Sequence, residues 1–261
     1  MTVQPRVLVL RAPGTNCDME TAYAFERAGG KAERWHINRL LDDPKLLTGY
    51  QILCLPGGFS YGDDVAAGRI LANQIQHHLA EHLEGFKAAG KLILGICNGF
   101  QVLIKSGLLL AADPALGPPA TLTWNDSGKF EDRWVRLAVR GSKCVFLKGI
   151  DAMLLPVAHA EGKFVTRDAA VLDALAANGQ LVLKYRRLSG EDGGPVPYPD
   201  NPNGSAADVA GVCDATGRVF GLMPHPERHI DPSQHPRFAR GEARDPGDGF
   251  RVFRNAVEYF S

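Results

Sequence analysis

The sequence has no surplus of charge. Its 261 residues carry 29 Lys and Arg against 29 Asp and Glu, so it offers neither a basic footprint for nucleic acid nor a polybasic face for a membrane. No apolar run approaches the ~20 residues that a membrane span needs. Cysteine is scarce: there are five, an odd number, with no CxxC pair. That argues against a disulfide framework and a zinc site and fits a reducing cytoplasm. No GxGxxG or GxxxxGK(S/T) loop is present, so no nucleotide-phosphate cradle is legible. The opening MTVQPRVLVLRAPGTN has neither a basic leader nor a small-residue cleavage site, and it reads as a first strand. Repeats, linkers and low-complexity tracts are also missing, and one domain over residues 1–261 is expected. The length suffices for a full core.

What is there begins with apolar runs. RVLVL (6–10), KAERW (31–35), YQILCLPGG (50–58) and KLILGIC (91–97) read as strands. DMETAYAFERAGG (18–30) has an acidic first turn and a glycine stop, as a helix does. Leu71, Ile75, Leu79, Leu83 and Phe86 fall on one stripe at helical spacing, which predicts one long amphipathic helix. Continuously apolar strands alternating with helices indicate a parallel sheet covered on both faces. After about Gly117 the pattern shortens. TLTWNDSGKFEDRWVRLAVR, CVFLKGI and AMLLPVAHAEGKFV read as shorter, antiparallel strands. A helix near 168–178, a strand QLVLKYR, a hairpin turning at 214–217 and a last helix over 250–260 follow. The fold class is therefore α/β: an open, mostly parallel, flavodoxin-like sheet with helices on both faces and additional antiparallel strands.

Cys97 occupies a special place in this order. It ends a strand and opens a helix between Gly95 and Gly99, the thiol counterpart of the serine nucleophile elbow. The turn lifts the sulfur clear of the sheet and sets it at a helix N-terminus, where partial positive charge favours thiolate. The Asn98 N–H points into the same space and can donate to a developing oxyanion. Cys54, Cys144 and Cys213 read as core residues. Cys17, in APGTNCD, lies in a strand-to-helix loop, where a place near the site is open.

A nucleophile needs a base, and the base needs an orienting group. Of eight histidines, His77, His78 and His82 fall on the amphipathic helix as solvated residues. His36, His159 and His235 lack a catalytic context. His225 lies just past a strand end between Pro224 and Pro226, with Glu227 at i+2, where a carboxylate can reach the imidazole in extended backbone. His229 is a neighbour without that framing. A second oxyanion donor is available at Gly57 and Gly58, which end the third strand at the edge where open parallel sheets bind ligands.

Together, LPGGFSYGDD, GICNGFQVL and MPHPER resemble class I, triad-type glutamine amidotransferases. APGTNCD, TLTWNDSGKFEDRWV, VAHAEGKF and NPNGS narrow the resemblance to the glutaminase subunits of phosphoribosylformylglycinamidine synthase, in de novo purine biosynthesis. The resemblance implies that Cys97 is the nucleophile, His225 the base and Glu227 its partner. It implies that the Gly58 and Asn98 N–H groups form the oxyanion hole and that Gln101 helps to hold glutamine. It also implies ammonia transfer to a separate ATP-using synthetase subunit, bridged in many members by a small third subunit. ATP and Mg are expected on that partner, with no cofactor or metal on this chain. Residues 186–202 and 230–249 are longer than in compact members, and partner contact or a place near the glutamine pocket is open for them. Two rival classes remain at this stage. A stand-alone cysteine hydrolase on a related elbow fold would lack PHPE and Gln101, and a non-catalytic binding module would not need an intact triad. An amidotransferase subunit of another pathway is a third possibility.

Overall fold

The computed structural model describes residues 4–190 and 193–261. Residues 1–3 of the opening segment, and 191 and 192 of the 186–202 loop, lie outside the described residues. The parallel half of the sheet comprises β1 (Arg6–Arg11), β2 (Lys31–His36), β3 (Ile52–Leu55), β4 (Leu92–Ile96) and β11 (Val219–Leu222), in the order β2-β1-β3-β4-β11. The sheet continues antiparallel through β10 (Val209–Cys213), β9 (Leu183–Arg186), β6 (Glu131–Val139) and β7 (Ala152–His159). A separate pair joins β5 (Ala120–Thr123) to β8 (Lys163–Thr166). Every residue of β3, β4 and β11 is buried, which requires cover on both faces and explains their unbroken apolar runs.

Helix α1 (Asp18–Arg27) packs against the last helix, α7 (Phe250–Glu258), through Phe25 and Phe253, edge to face at 4.9 Å. The helix after β4, α5 (Asn98–Lys105), is buried along nearly its whole length. β1 pairs with β2 on one side and β3 on the other. The strand order therefore reverses here, the position at which doubly wound sheets bind ligands beyond their carboxyl ends.

Three sequence expectations need correction. The strands after Gly117 are not all shorter, since β6 and β7 span 9 and 8 residues against 4 to 6 in the parallel half. The expected long helix is two, α3 (Arg69–His78) and α4 (Ala80–Ala88), which meet at Leu79, where φ is −123° and ψ −2°. Hydrogen bonds still run through the bend, from Leu79 N to Ile75 O and from Leu83 N to Leu79 O. The predicted stripe, Leu71 to Phe86, therefore stays buried across it. CVFLKGI is a 3-10 turn over Val145–Leu147, not a strand. Phe146 and Leu147 are buried as a strand would bury them. The Phe146 and Lys148 carbonyls accept from the Asn255 side-chain amide at 2.9 and 2.8 Å. A side chain thus replaces the neighbouring strand, and an apolar run this short does not reveal the exchange.

The elbow depends on glycine for reasons of space. A Cβ at Gly99 would sit 1.8 Å from the Leu55 carbonyl oxygen of β3, and one at Gly95 would sit 2.5 Å from Leu103 Cδ1. The helix lies so close to the sheet that only hydrogen fits. Gly99→Ala is expected to cost about 3 kcal/mol or more by overpacking, read as a drop in the urea midpoint with unchanged m-value. Parental stability in that variant would show that helix and strand separate without cost.

Candidate active site

Four strand ends converge on the site: Cys17 follows β1, Gly57 and Gly58 follow β3, Cys97 follows β4, and His225 follows β11. β4 and β11 are hydrogen-bonded neighbours, with Ile96 opposite Leu222, and Cys97 N donates to Leu222 O at 2.8 Å. Chain segments over a hundred residues apart are thereby fixed side by side.

Cys97 has φ 51° and ψ −105°. A positive φ at a non-glycine residue is strained, and it marks the sharp strand-to-helix turn expected from the sequence. The residue is 5% exposed and borders a cavity of about 310 Å³ shared with Gly58, Asp63, Gln101 and His159. Its thiol makes a long hydrogen bond to Ala158 O at 3.6 Å. As the first residue of α5, Asn98 has a backbone N–H without an i−4 partner in the helix. The Asn98 side chain is a brace: Oδ1 accepts from Ser60 N at 3.2 Å, and Nδ2 donates to Asp63 and Gln101. Gly58 has φ 142°, and a Cβ there would meet Asn16 N at 2.7 Å. Only glycine suits both the conformation and the space. Gln101 donates to Glu161 O at 2.7 Å and accepts from Asn98 at 2.9 Å, so its amide shapes the cavity wall.

His225 and Glu227 are buried, and Nδ1 lies 2.6 Å from Glu227 Oε1. The bond assigns the Nδ1 proton toward the carboxylate and leaves Nε2 without a hydrogen-bond partner among the described residues. Burial alone would lower the imidazole pKa. The Glu227 charge and the Cys97 sulfur outweigh it and hold His225 well above the usual histidine range. The backbone is anchored as well, with His225 N donating to Pro156 O of β7 at 2.9 Å.

Two neighbours of the candidate site escaped sequence reasoning or were left open by it. Cys17 is buried at the N-terminus of α1 beside His225, where a Cβ at Gly57 would strike both His225 Cε1, at 2.7 Å, and Cys17 Sγ, at 3.1 Å. Arg228 reaches Cys17 Sγ at 3.2 Å while its Nε donates to Glu20 at 3.0 Å. Burial nevertheless pushes the Cys17 thiol up. His159, set aside above for want of context, lines the Cys97 cavity. Burial, with the nearby His225, drives its pKa down to about 3. Its Nδ1 faces Asn125 Oδ1 at 3.2 Å, so the neutral ring presents an acceptor Nε2. The signal lay in the motifs themselves. Asn125 of TLTWNDSGKFED also donates to His159 O, and Asn203 of NPNGS donates to Gly162 O. Both motifs support the cavity wall.

Among the described residues, Cys17, His225 and Glu227 place three metal-ligand atoms within 4.8 Å of one another. The short His–Glu bond already uses two of them, and a guanidinium faces the third, which disfavours a cation there. Among the described residues of 186–202 and 230–249, none lines the Cys97 cavity, and both segments reach a second one instead. No helix among the described residues is long and apolar enough to cross a membrane.

A doubly wound sheet with a thiol elbow at one strand end and a His–Glu pair at the next is the architecture of a glutamine amidotransferase. The family model for the CobB/CobQ-like glutamine amidotransferase domain matches residues 4–260. The phosphoribosylformylglycinamidine synthase subunit PurQ of Dehalococcoides mccartyi is 49% identical over 255 residues, covering 97% of each chain. That of Methanococcus maripaludis is 42% identical over 272 residues, covering 99% of this chain and 98% of the relative. A solved structure of PurLQS from Thermotoga maritima aligns with a TM-score of 0.74 and 33% identity, covering 99% of this chain and all of that one. The chain belongs to the PurQ family of glutamine amidotransferases.

Proposed function

We propose that this chain is the glutaminase subunit of phosphoribosylformylglycinamidine synthase. The proposal rests on one observation above all: a strained thiol and a carboxylate-held imidazole converge above the same sheet edge. In this reading Cys97 attacks the side-chain amide carbon of glutamine, and the oxygen takes up negative charge facing the Gly58 and Asn98 N–H groups. The imidazolium of His225 gives its Nε2 proton to the amide nitrogen. The C–N bond breaks, ammonia leaves and a γ-glutamyl thioester remains. His225, now neutral, takes a proton from water, which attacks the thioester and expels the thiolate as glutamate forms. Glu227 keeps the ring oriented throughout. Asp63 lines the cavity and can hold the substrate ammonium, whereas the Glu161 carboxylate is tied to Ala67 N and Lys105, and Gln101 supports that wall.

Burial raises Asp63 to about 6. An ammonium contact there would thus be strongest above pH 6, where the carboxylate is charged.

Ammonia freed into water becomes largely ammonium, which is not nucleophilic, so a partner must receive it directly. The aromatic side chains of Phe59 and Trp124 line the Cys97 cavity and are exposed, and Phe130 packs against Phe59 with centroids 6.3 Å apart. An exposed apolar group at a cavity mouth is a surface suited to cover by another subunit. By likeness to the Thermotoga assembly, the partners are an L-type, ATP- and Mg-using synthetase and a small S-type subunit. Formylglycinamide ribonucleotide would be the acceptor, in the cytoplasm, in purine biosynthesis, with the chain acting as one domain. The test is co-purification with the synthetase subunit of the same cell. Glutamine-dependent amidine formation is expected, with glutaminase activity rising on assembly. Association without glutamine-dependent product would refute the reading.

A further inference from the structure

A second cavity, of about 460 Å³, opens where the 186–202 and 230–249 segments meet the outer strands β6 and β7. It lies apart from the glutamine site but shares a strand with it. β7 presents Leu154 here, and Ala158 and His159 at the Cys97 cavity. Three rings cluster in its wall. Trp134 and His229 meet edge to face at 5.1 Å, Trp134 and His235 lie 5.6 Å apart, and His229 and His235 lie 5.5 Å apart.

The cavity is also cationic. Arg136, Arg186, Arg237 and Arg244 line it against Glu242 and Asp248. Both acids are engaged: Glu242 pairs with Arg237 at 3.1 Å, and Asp248 accepts from Leu154 N at 2.8 Å. With Arg237 and Glu242 paired, Arg136 and Arg244 stand against the single charge of Asp248. His229 supplies the most pointed observation. It is 2% exposed, and its Nδ1 donates to Leu154 O at 2.7 Å. Burial depresses its pKa, so the ring is neutral and Nε2 is a lone-pair acceptor. That atom is buried and has no partner. A buried acceptor left unmade costs free energy that a ligand donor would recover.

We propose that this cavity binds a nucleoside monophosphate. Its base would lie against Trp134 and His235, and its phosphate against the guanidinium groups of Arg136 and Arg244. A ribose hydroxyl or base amine would donate to His229 Nε2. The volume falls within the range of small-molecule pockets, whereas docking of a protein segment favours a larger and flatter surface. Guanidinium forks match phosphate oxygens, and ring faces match a planar base.

The test is calorimetric titration of the full chain with AMP, GMP, adenosine and inorganic phosphate, with tryptophan fluorescence recorded in parallel. One nucleotide is expected to bind at least about tenfold more tightly than either the nucleoside or phosphate alone, and to quench fluorescence. The double variant R136A/R244A removes two exposed side chains. It is expected to weaken binding by about tenfold or more while folding and basal glutaminase activity stay unchanged. W134F should abolish the quench. The proposal is overturned if no nucleotide binds below about 10 mM, or if affinity survives the double variant. It is equally overturned if the double variant loses only its association with the synthetase, which would assign the surface to a protein partner.

Discussion

Cys97→Ala is expected to reduce glutamine hydrolysis by about 10⁴-fold or more, since removal of a nucleophile from a triad-type site leaves only binding and oxyanion contributions. The fold should be retained, because the change removes one atom from a residue whose strained backbone comes from the flanking packing of Gly95 and Gly99. Circular dichroism and the thermal midpoint report that directly. The γ-glutamyl thioester, trapped by acid quench and seen by mass spectrometry in the parent, should be absent. With ammonium salt in place of glutamine, the assembled synthetase should still form product. That separates loss of ammonia supply from loss of the complex. Hydrolysis at the parental rate would mean that the thiol does not carry the reaction.

The second large effect is expected from Glu227→Gln. The substitution preserves size and removes the charge that lies 2.6 Å from His225 Nδ1. Burial lowers the imidazole pKa, and Glu227 is the foremost of the groups that raise it. The sign follows: without the carboxylate, the largest influence opposing burial is gone and His225 loses its proton at lower pH. In the proposed mechanism the imidazolium is the acid for departing ammonia, so the alkaline limb of the kcat profile should move to lower pH. At neutrality kcat should fall by about 10³–10⁴-fold, the scale seen when a triad carboxylate is neutralised. Stopped assays between pH 5 and 10 would follow both changes. An unmoved alkaline limb would show that Glu227 does not govern the protonation of His225.

Much of this site was legible because its signals are local. G-x-C-x-G after an apolar run describes a turn built from adjacent residues, and His225 and Glu227 are two positions apart. Such spacings survive folding unchanged. The parallel strands were legible for a similar reason, since burial on both faces leaves an unbroken apolar run. The features that escaped depend on contacts across the fold. Cys17 meets His225 only because β1 and β11 end at the same edge. His159 lines the cavity only because β7 ends beside it, and its spacing along the strand does not show that, although it lies within the VAHAEGKF motif. The turn at Val145–Leu147 resembled a strand because Asn255, over a hundred residues later, provides its hydrogen bonds. The bend at Leu79 left no trace in the apolar spacing, because hydrogen bonding continues through it.

The pairing of β4 with β11 has one more consequence. Cys97 and His225, the two halves of the proposed machinery, hang from a ladder between fully buried strands, beyond the reach of partial opening. Fraying of the exposed loops at 230–249 leaves that ladder untouched, whereas any excursion that parts Ile96 from Leu222 requires opening of the central sheet. Heat inactivation should therefore track global denaturation of the protein instead of preceding it.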